Sequence, residues 1–188
     1  MMSTIKYSQY DLLSEELALL EEVKNPFRRA LNSLFKPKTF LFHVSVPNDL
    51  YLRAETLCDD VTNLRDEDET YTQSELVNHT FCSFIDQVRK HDSNVGGIYN
   101  RLIVRKQEIL VVNNTPLFPA KSKTTVSTKI HREDVYRSEV LLRDLAVFAP
   151  KHSLQVEHLI EIVYLDFLLE YQNGRRKNVI KEIVDTLD

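Results

Sequence analysis

The stretch Thr39-Phe40-Leu41-Phe42-His43-Val44-Ser45-Val46 decides how the rest of the chain is read. Its residues alternate with period two, as in a strand with one buried and one exposed face. Phe40, Phe42, Val44 and Val46 fall on one side, leaving Leu41, His43 and Ser45 on the other. A second stretch, Thr124-Thr125-Val126-Ser127-Thr128-Lys129-Ile130, repeats the pattern. There Val126, Thr128 and Ile130 face one way, and Thr125, Ser127 and Lys129 the other. Neither strand runs into a hairpin partner; each leads to a helix, a short break and a second helix.

After the first strand, Pro47-Asn48-Asp49 suits a helix start, because proline and short acceptors fit the first turn. Leu50, Leu57, Val61 and Leu64 recur on one face of that helix. Following the acidic loop from Arg65 to Glu69, Thr72-Gln73-Ser74-Glu75 has the T-x-x-E spacing of a capping box. It opens a helix carrying Leu76, Val77, Thr80, Phe81, Phe84, Ile85 and Val88. After the second strand, His131-Arg132-Glu133-Asp134 leads to a helix with Val135, Leu142, Leu145 and Ala146, broken by Pro150. Ser153 is the expected N-cap of the next helix, which bears Val156, Leu159, Ile160, Val163, Tyr164, Phe167 and Leu168 and stops at Asn173-Gly174.

The two halves align with small changes of offset. Val44 and Val46 map onto Thr128 and Ile130 at a shift of 84, and Leu50 and Leu57 onto Val135 and Leu142 at 85. The apolar set from Leu76 to Ile85 maps onto that from Leu159 to Leu168 at 83. Strand, helix, break and helix in one order at nearly constant spacing reads as an internal repeat.

Outside the repeat, residues 8–36 read as a helical arm. Leu12, Leu13, Leu17, Leu20 and Val23 recur at helical spacing, and Asn25-Pro26 restarts a helix with Phe27, Leu31, Leu34 and Phe35. Between the halves, Leu102-Ile103-Val104 and Ile109-Leu110-Val111-Val112 flank Arg105 to Glu108 as a hairpin would. The expected layout is an arm at 1–37, a first repeat at 38–91, a connector at 92–122, a second repeat at 123–173 and a terminal helix at 174–188. The fold class is α+β, mostly helical, with a two-stranded antiparallel ribbon and a pseudo-twofold relation between the repeats.

Composition narrows the function. The chain has 188 residues, 43% of them hydrophobic, enough for a sizeable core and too many for wholesale disorder. Its two cysteines, Cys58 and Cys82, have no CxxC spacing, which points to a reducing compartment and no zinc site. Neither an apolar signal core nor a run long enough to span a bilayer is seen, so the expected location is the cytoplasm. Net charge is −4, but its distribution is uneven. Lys121, Lys123, Lys129 and Arg132 lie in a stretch without acids, whereas Asp59 to Glu69 holds six acids and one arginine. The basic stretch contains the second strand.

Strand, Pro-Asn-Asp-Leu turn, helix, then Thr72-Gln73-Ser74-Glu75-Leu76-Val77 opening another helix resembles a ribbon-helix-helix DNA-binding domain. The likeness covers roughly residues 38–91 and 123–173, and with both copies in one chain it resembles the tandem proteins of conjugative elements. The second copy departs from the pattern: it lacks the proline after its strand and has Ser-x-x-Val in place of the capping box. The resemblance implies that the two strands pair and enter the major groove of double-stranded DNA. Base contacts would then come from Leu41, His43, Ser45, Thr125, Ser127 and Lys129, with lysine suited to guanine and leucine to a thymine methyl. Phosphates would be met at the starts of the second helices, by Tyr71, Thr72 and Gln73 and by His152, Ser153 and Leu154. Lys36, Lys38, Lys121, Lys123 and Arg132 flank the ribbon and would add nonspecific phosphate contacts.

Catalysis has little to rest on. None of the six histidines forms HExxH or a zinc-finger spacing, and with three glycines there is no phosphate-cradling loop. His79 and Cys82 lie three apart on a helix, too few for a metal site. The expectation is a protein without enzyme activity or cofactor, acting as a transcriptional regulator, an activator of conjugative transfer genes. The alternatives are an accessory protein at a transfer origin and a protein–protein adaptor. RNA polymerase or relaxosome proteins are the matching partners, no membrane is involved, and the amphipathic terminal helices allow a homodimer.

Overall fold

In the computed structural model the described residues are 5–22, 36–65, 69–90, 96–98, 100, 102–103 and 122–187. The elements are α1 (Leu12–Glu22), β1 (Thr39–Pro47), α2 (Asn48–Arg65), α3 (Gln73–Lys90), β2 (Lys123–His131), α4 (Arg132–Phe148), α5 (Val156–Gln172) and α6 (Val179–Leu187).

The alternating stretches pair with each other. β1 and β2 are antiparallel, in register from Thr39 opposite His131 to Pro47 opposite Lys123, with His43 opposite Ser127 at the centre. Two further backbone bonds close the ends. The Asn48 amide donates to the Ser122 carbonyl at 2.9 Å, and the Arg132 amide to the Lys38 carbonyl at 2.8 Å. Each strand thus passes directly into its helix, and no residue is added between β2 and α4. The change of offset expected there is absent.

Phe42, Val44, Val46, Val126 and Ile130 are buried on the inner face, as the alternation requires. Thr128 is buried among them, and its hydroxyl donates to the Ser74 carbonyl at 2.9 Å, so this buried polar side chain keeps a partner. Below the ribbon lie Leu50, Ala54, Leu57 and Val61 of α2, Leu76, Val77, Phe81 and Ile85 of α3, and Val135, Leu142 and Leu145 of α4. The apolar residues of α5 complete this core, among them Leu159, Ile160, Tyr164 and Leu168. The halves are interleaved: α3 packs on β2 and α5 on β1, each on the strand of the other half. Full burial of one such leucine or phenylalanine is worth about 1.5–3 kcal/mol, so these contacts tie the two parts of the chain into one shared core.

The caps follow local chemistry. At α3 the Thr72 amide donates to the Glu75 carboxylate at 2.7 Å and the Glu75 amide to Thr72 Oγ1 at 3.3 Å, the reciprocal box that the spacing predicts. At α5 the cap is Gln155 rather than Ser153; its side chain accepts from the backbone of His158, and its amide donates to His158 Nδ1 at 3.1 Å. Serine is the better intrinsic capper, but Leu154 and Val156 are both buried, and that burial sets where the helix begins. Gly174, with φ of 67°, ends α5 as a left-handed cap.

Some expectations change. Leu64 is 58% exposed, and the α2 face runs instead through Ala54 and Cys58. Among the described side chains of α1 only Leu12 and Leu13 are buried, because α1 meets α4 through its first turn; Leu17 and Leu20 are exposed. Residues 102 and 103, expected in a strand, are helical; the remainder of that hairpin and the second helix of the arm lie outside the described residues. No helix among the described residues is long and apolar enough to cross a membrane.

Candidate nucleic-acid interface

The outward face of the ribbon gathers side chains from both strands. Reading across the register, it presents Thr39 with His131, Leu41 with Lys129, His43 with Ser127, and Ser45 with Thr125, ending at Lys123 beside Pro47. All of these but Ser45 and Pro47 are exposed; Ser45 is half-buried and Pro47 buried. Two lysines and two histidines stand on this face, and no carboxylate does. His43 Nδ1 and Ser127 Oγ are hydrogen-bonded at 2.9 Å across the central pair, which holds the imidazole against its neighbour on the other strand. The nine residue pairs are separated by eight steps of about 3.4 Å, which makes the ribbon about 27 Å long. A two-stranded ribbon is also of a width that a B-DNA major groove admits. Thr39 and His131 belong to the face although neither was among the expected base contacts; Thr39 lies two residues before Leu41 and His131 two after Lys129, so the same alternation reaches both.

The flanking residues divide into two groups. Lys38 and Lys123 are exposed beside the ribbon, and Lys121 lies outside the described residues. Arg132 and Lys36 are engaged elsewhere. Arg132 Nη2 bonds Glu15 Oε2 at 2.7 Å and Glu16 Oε1 at 3.3 Å, while Lys36 Nζ meets Glu16 at 2.5 Å and Glu15 at 3.2 Å. The Arg132 guanidinium also lies over the Phe40 ring, 5.8 Å from its centre. Both glutamates ionise more readily than usual. For Glu15, burial acts upward but is outweighed by hydrogen bonds from Arg132 and Lys36; for Glu16 the Lys36 hydrogen bond is the largest influence. Arg132 is therefore not open to a phosphate as the sequence suggested, because α1 brings two carboxylates to it.

The helix starts also differ from expectation. Tyr71 is 1% exposed, and its hydroxyl is buried with no hydrogen-bond partner among the described residues. Gln73 points inward, donating to the Tyr51 carbonyl at 3.1 Å and to Glu55 at 2.5 Å, and accepting from the Tyr164 hydroxyl at 3.0 Å. Thr72 is exposed, yet both its amide and its hydroxyl face the Glu75 carboxylate, which occupies the place an anion would take. At α5 the N-terminus is covered by the chain before α1: the Val156 amide donates to the Tyr7 carbonyl at 2.8 Å, and Glu157 accepts from the Gln9 amide at 2.9 Å. His152 stacks on Tyr7 with ring centres 6.0 Å apart and bonds the Leu142 carbonyl, a packing role. Leu154 is buried, and Ser153 is exposed but lies outside the cap. The side chains nominated for phosphates at the second helices thus serve the core and the caps, and the outer face of the ribbon holds the remaining candidates together.

Comparison of the chain with protein-family models, with curated proteins and with solved structures gave no match.

Among the described residues no group of three or more His, Cys, Asp or Glu side chains is gathered to hold a metal ion. Burial, the largest cause, pushes both thiols, Cys58 and Cys82, up to about 12, which makes them poor nucleophiles.

Proposed function

We propose that this chain is a tandem ribbon-helix-helix protein that binds double-stranded DNA sequence-specifically and regulates transcription of transfer genes. The observation that carries the reading is the ribbon: two strands from distant parts of one chain pair into a face of Leu41, His43, Ser45, Thr125, Ser127 and Lys129, with no acid among them. Side chains of these types read donors, acceptors and methyl groups on base edges.

The register supports the tandem form. The central partners, His43 and Ser127, are 84 residues apart, the same shift that relates the two strands. A twofold axis through that pair exchanges Lys38 with Ser122 and Asn48 with Arg132, the residues of the two end-closing bonds. The same shift carries Ala54, Leu57, Cys58 and Val61 onto Ser138, Leu141, Leu142 and Leu145, all buried. Thr72 and Gln155, the caps of the second helices, are related by 83. Phosphate contacts fall to Lys38 and Lys123, with Lys121 two residues before Lys123 in sequence.

Selection of bound sequences from a pool of random duplexes tests the reading. It should recover a motif at about 150 mM salt, and Lys129→Ala should weaken binding to that motif by about 1–3 kcal/mol. A flat selection, with binding that only fades as salt is raised, would leave phosphate attraction alone and sink the proposal. The position of the recovered motif, upstream of a promoter or beside a nick site, separates a regulator from a transfer-origin accessory.

A further inference from the structure

Glu15 and Glu16 are held beside the ribbon by a buried anchor. Glu139 of α4, fully buried, accepts hydrogen bonds from the Leu12 amide at 3.1 Å, the Leu13 amide at 2.6 Å and the Ser8 hydroxyl at 2.5 Å. It thereby caps the N-terminus of α1 and fixes the helix against α4. Tyr10, just before α1, donates its hydroxyl to the Leu41 carbonyl at 2.5 Å and packs its ring on Phe40 at 4.3 Å, so the arm also grips the edge of β1. With α1 fixed at both places, Glu15 and Glu16 meet two cations that flank the terminal Thr39–His131 pair: Arg132, directly after His131, and Lys36, three residues before Thr39.

We infer that Glu15 and Glu16 set the balance between specific and non-specific DNA binding by withholding Arg132 and Lys36 from the phosphates. This rests on the DNA-binding reading above. In that setting the two cations stand at one end of a ribbon whose contacts to the groove walls would otherwise include them. Phosphate attraction is independent of sequence, so each withheld cation lowers the non-specific term and leaves base contacts a larger share of the total. The other end differs: at Asn48, the position 84 before Arg132, a neutral side chain accepts from the Thr124 hydroxyl at 3.0 Å. The acids therefore spare the ribbon a cationic excess at one end and make the two ends more alike in charge.

The test uses the full chain and a duplex of unrelated sequence beside the selected one, with affinity followed over a range of salt. In Glu15→Gln/Glu16→Gln, where glutamine keeps hydrogen-bonding capacity for α1, the unrelated duplex should bind about tenfold more tightly. Its plot of log K against log salt should steepen by about 1.8, or 0.9 for each cation released. The ratio of specific to non-specific affinity should fall. Adding Arg132→Ala should remove about half of the steepening, and Asp59→Asn/Asp60→Asn, with the same change of net charge, should not reproduce it. Arg132→Ala alone reports independently of how the glutamine variant folds: in the wild-type background it should leave the slope where it was, and a loss of about 0.9 would overturn the inference. An unchanged slope in the glutamine variant, or a gain that survives Arg132→Ala, would also overturn it while wild-type binding sensitive to Lys129→Ala keeps the DNA reading intact. Failure of the wild type to bind any duplex would remove the DNA reading, and this inference with it.

Discussion

Replacing Glu139 by alanine should cost this protein about 3 kcal/mol. Three donors converge on that carboxylate: the Leu12 and Leu13 amides, which open α1, and the Ser8 hydroxyl. Hydrogen bonds to a charged acceptor are worth about 1.5–3 kcal/mol each, and a buried donor left alone costs about 1–3 kcal/mol. The full sum is not expected, because water can reach the start of a helix once the side chain has gone, and docking of α1 limits what can be lost locally. At this chain length 1 kcal/mol corresponds to about 2–4 °C, so thermal unfolding followed by far-UV circular dichroism should move down by about 6–12 °C. Hydrogen exchange should locate the damage, with the Leu12 and Leu13 amides losing protection ahead of the α5 core. Glu139→Gln should lie between, since its oxygen still accepts while its NH2 group confronts the remaining donors. A shift under about 2 °C with both amides as protected as before would refute the idea that Glu139 anchors the arm.

Two more outcomes follow from the same contacts. Gln73→Leu strips partners from Tyr164, Glu55 and the Tyr51 carbonyl at once, and should lower stability by about 2–3 kcal/mol in a denaturant titration. Tyr164→Phe alone should cost less, and the double variant should cost less than the sum because the side chains share a bond. The Glu15 and Glu16 contacts give a pH dependence. Their pKa values lie below the ordinary 4.5 in the folded chain, so their contribution is complete above that pH and is lost as pH falls through the lowered values. The gap in melting temperature between wild type and Arg132→Ala should therefore narrow from about pH 4.5 downward; a gap that stays constant into acid would show that the ion pairs add nothing to stability.

Much of the ribbon was legible in the sequence because its information is local. Period two in residues 39–46 and 124–130 is sufficient to separate an inner from an outer face, and burial of Phe42, Val44, Val46, Val126, Thr128 and Ile130 follows that division. The α3 cap was equally legible, since Thr72 and Glu75 satisfy each other within four residues. Gly174 likewise marks the end of α5 by its own backbone conformation.

What the tertiary structure decided are the relations between residues far apart in the chain. Which strand pairs with which, and in what register, depends on a shared core that no single stretch contains. Gln73 and Tyr71 look like surface residues at a helix start, yet α2 and α5 enclose Gln73 and burial claims Tyr71. Arg132 looks like a phosphate contact until α1, more than 100 residues earlier, brings Glu15 and Glu16 to it. Periodicity and caps are set by neighbours within a turn or two, so the sequence alone determined them. The freedom of a charge or a hydroxyl depends on what the folded chain lays against it, and only the assembled fold decides that.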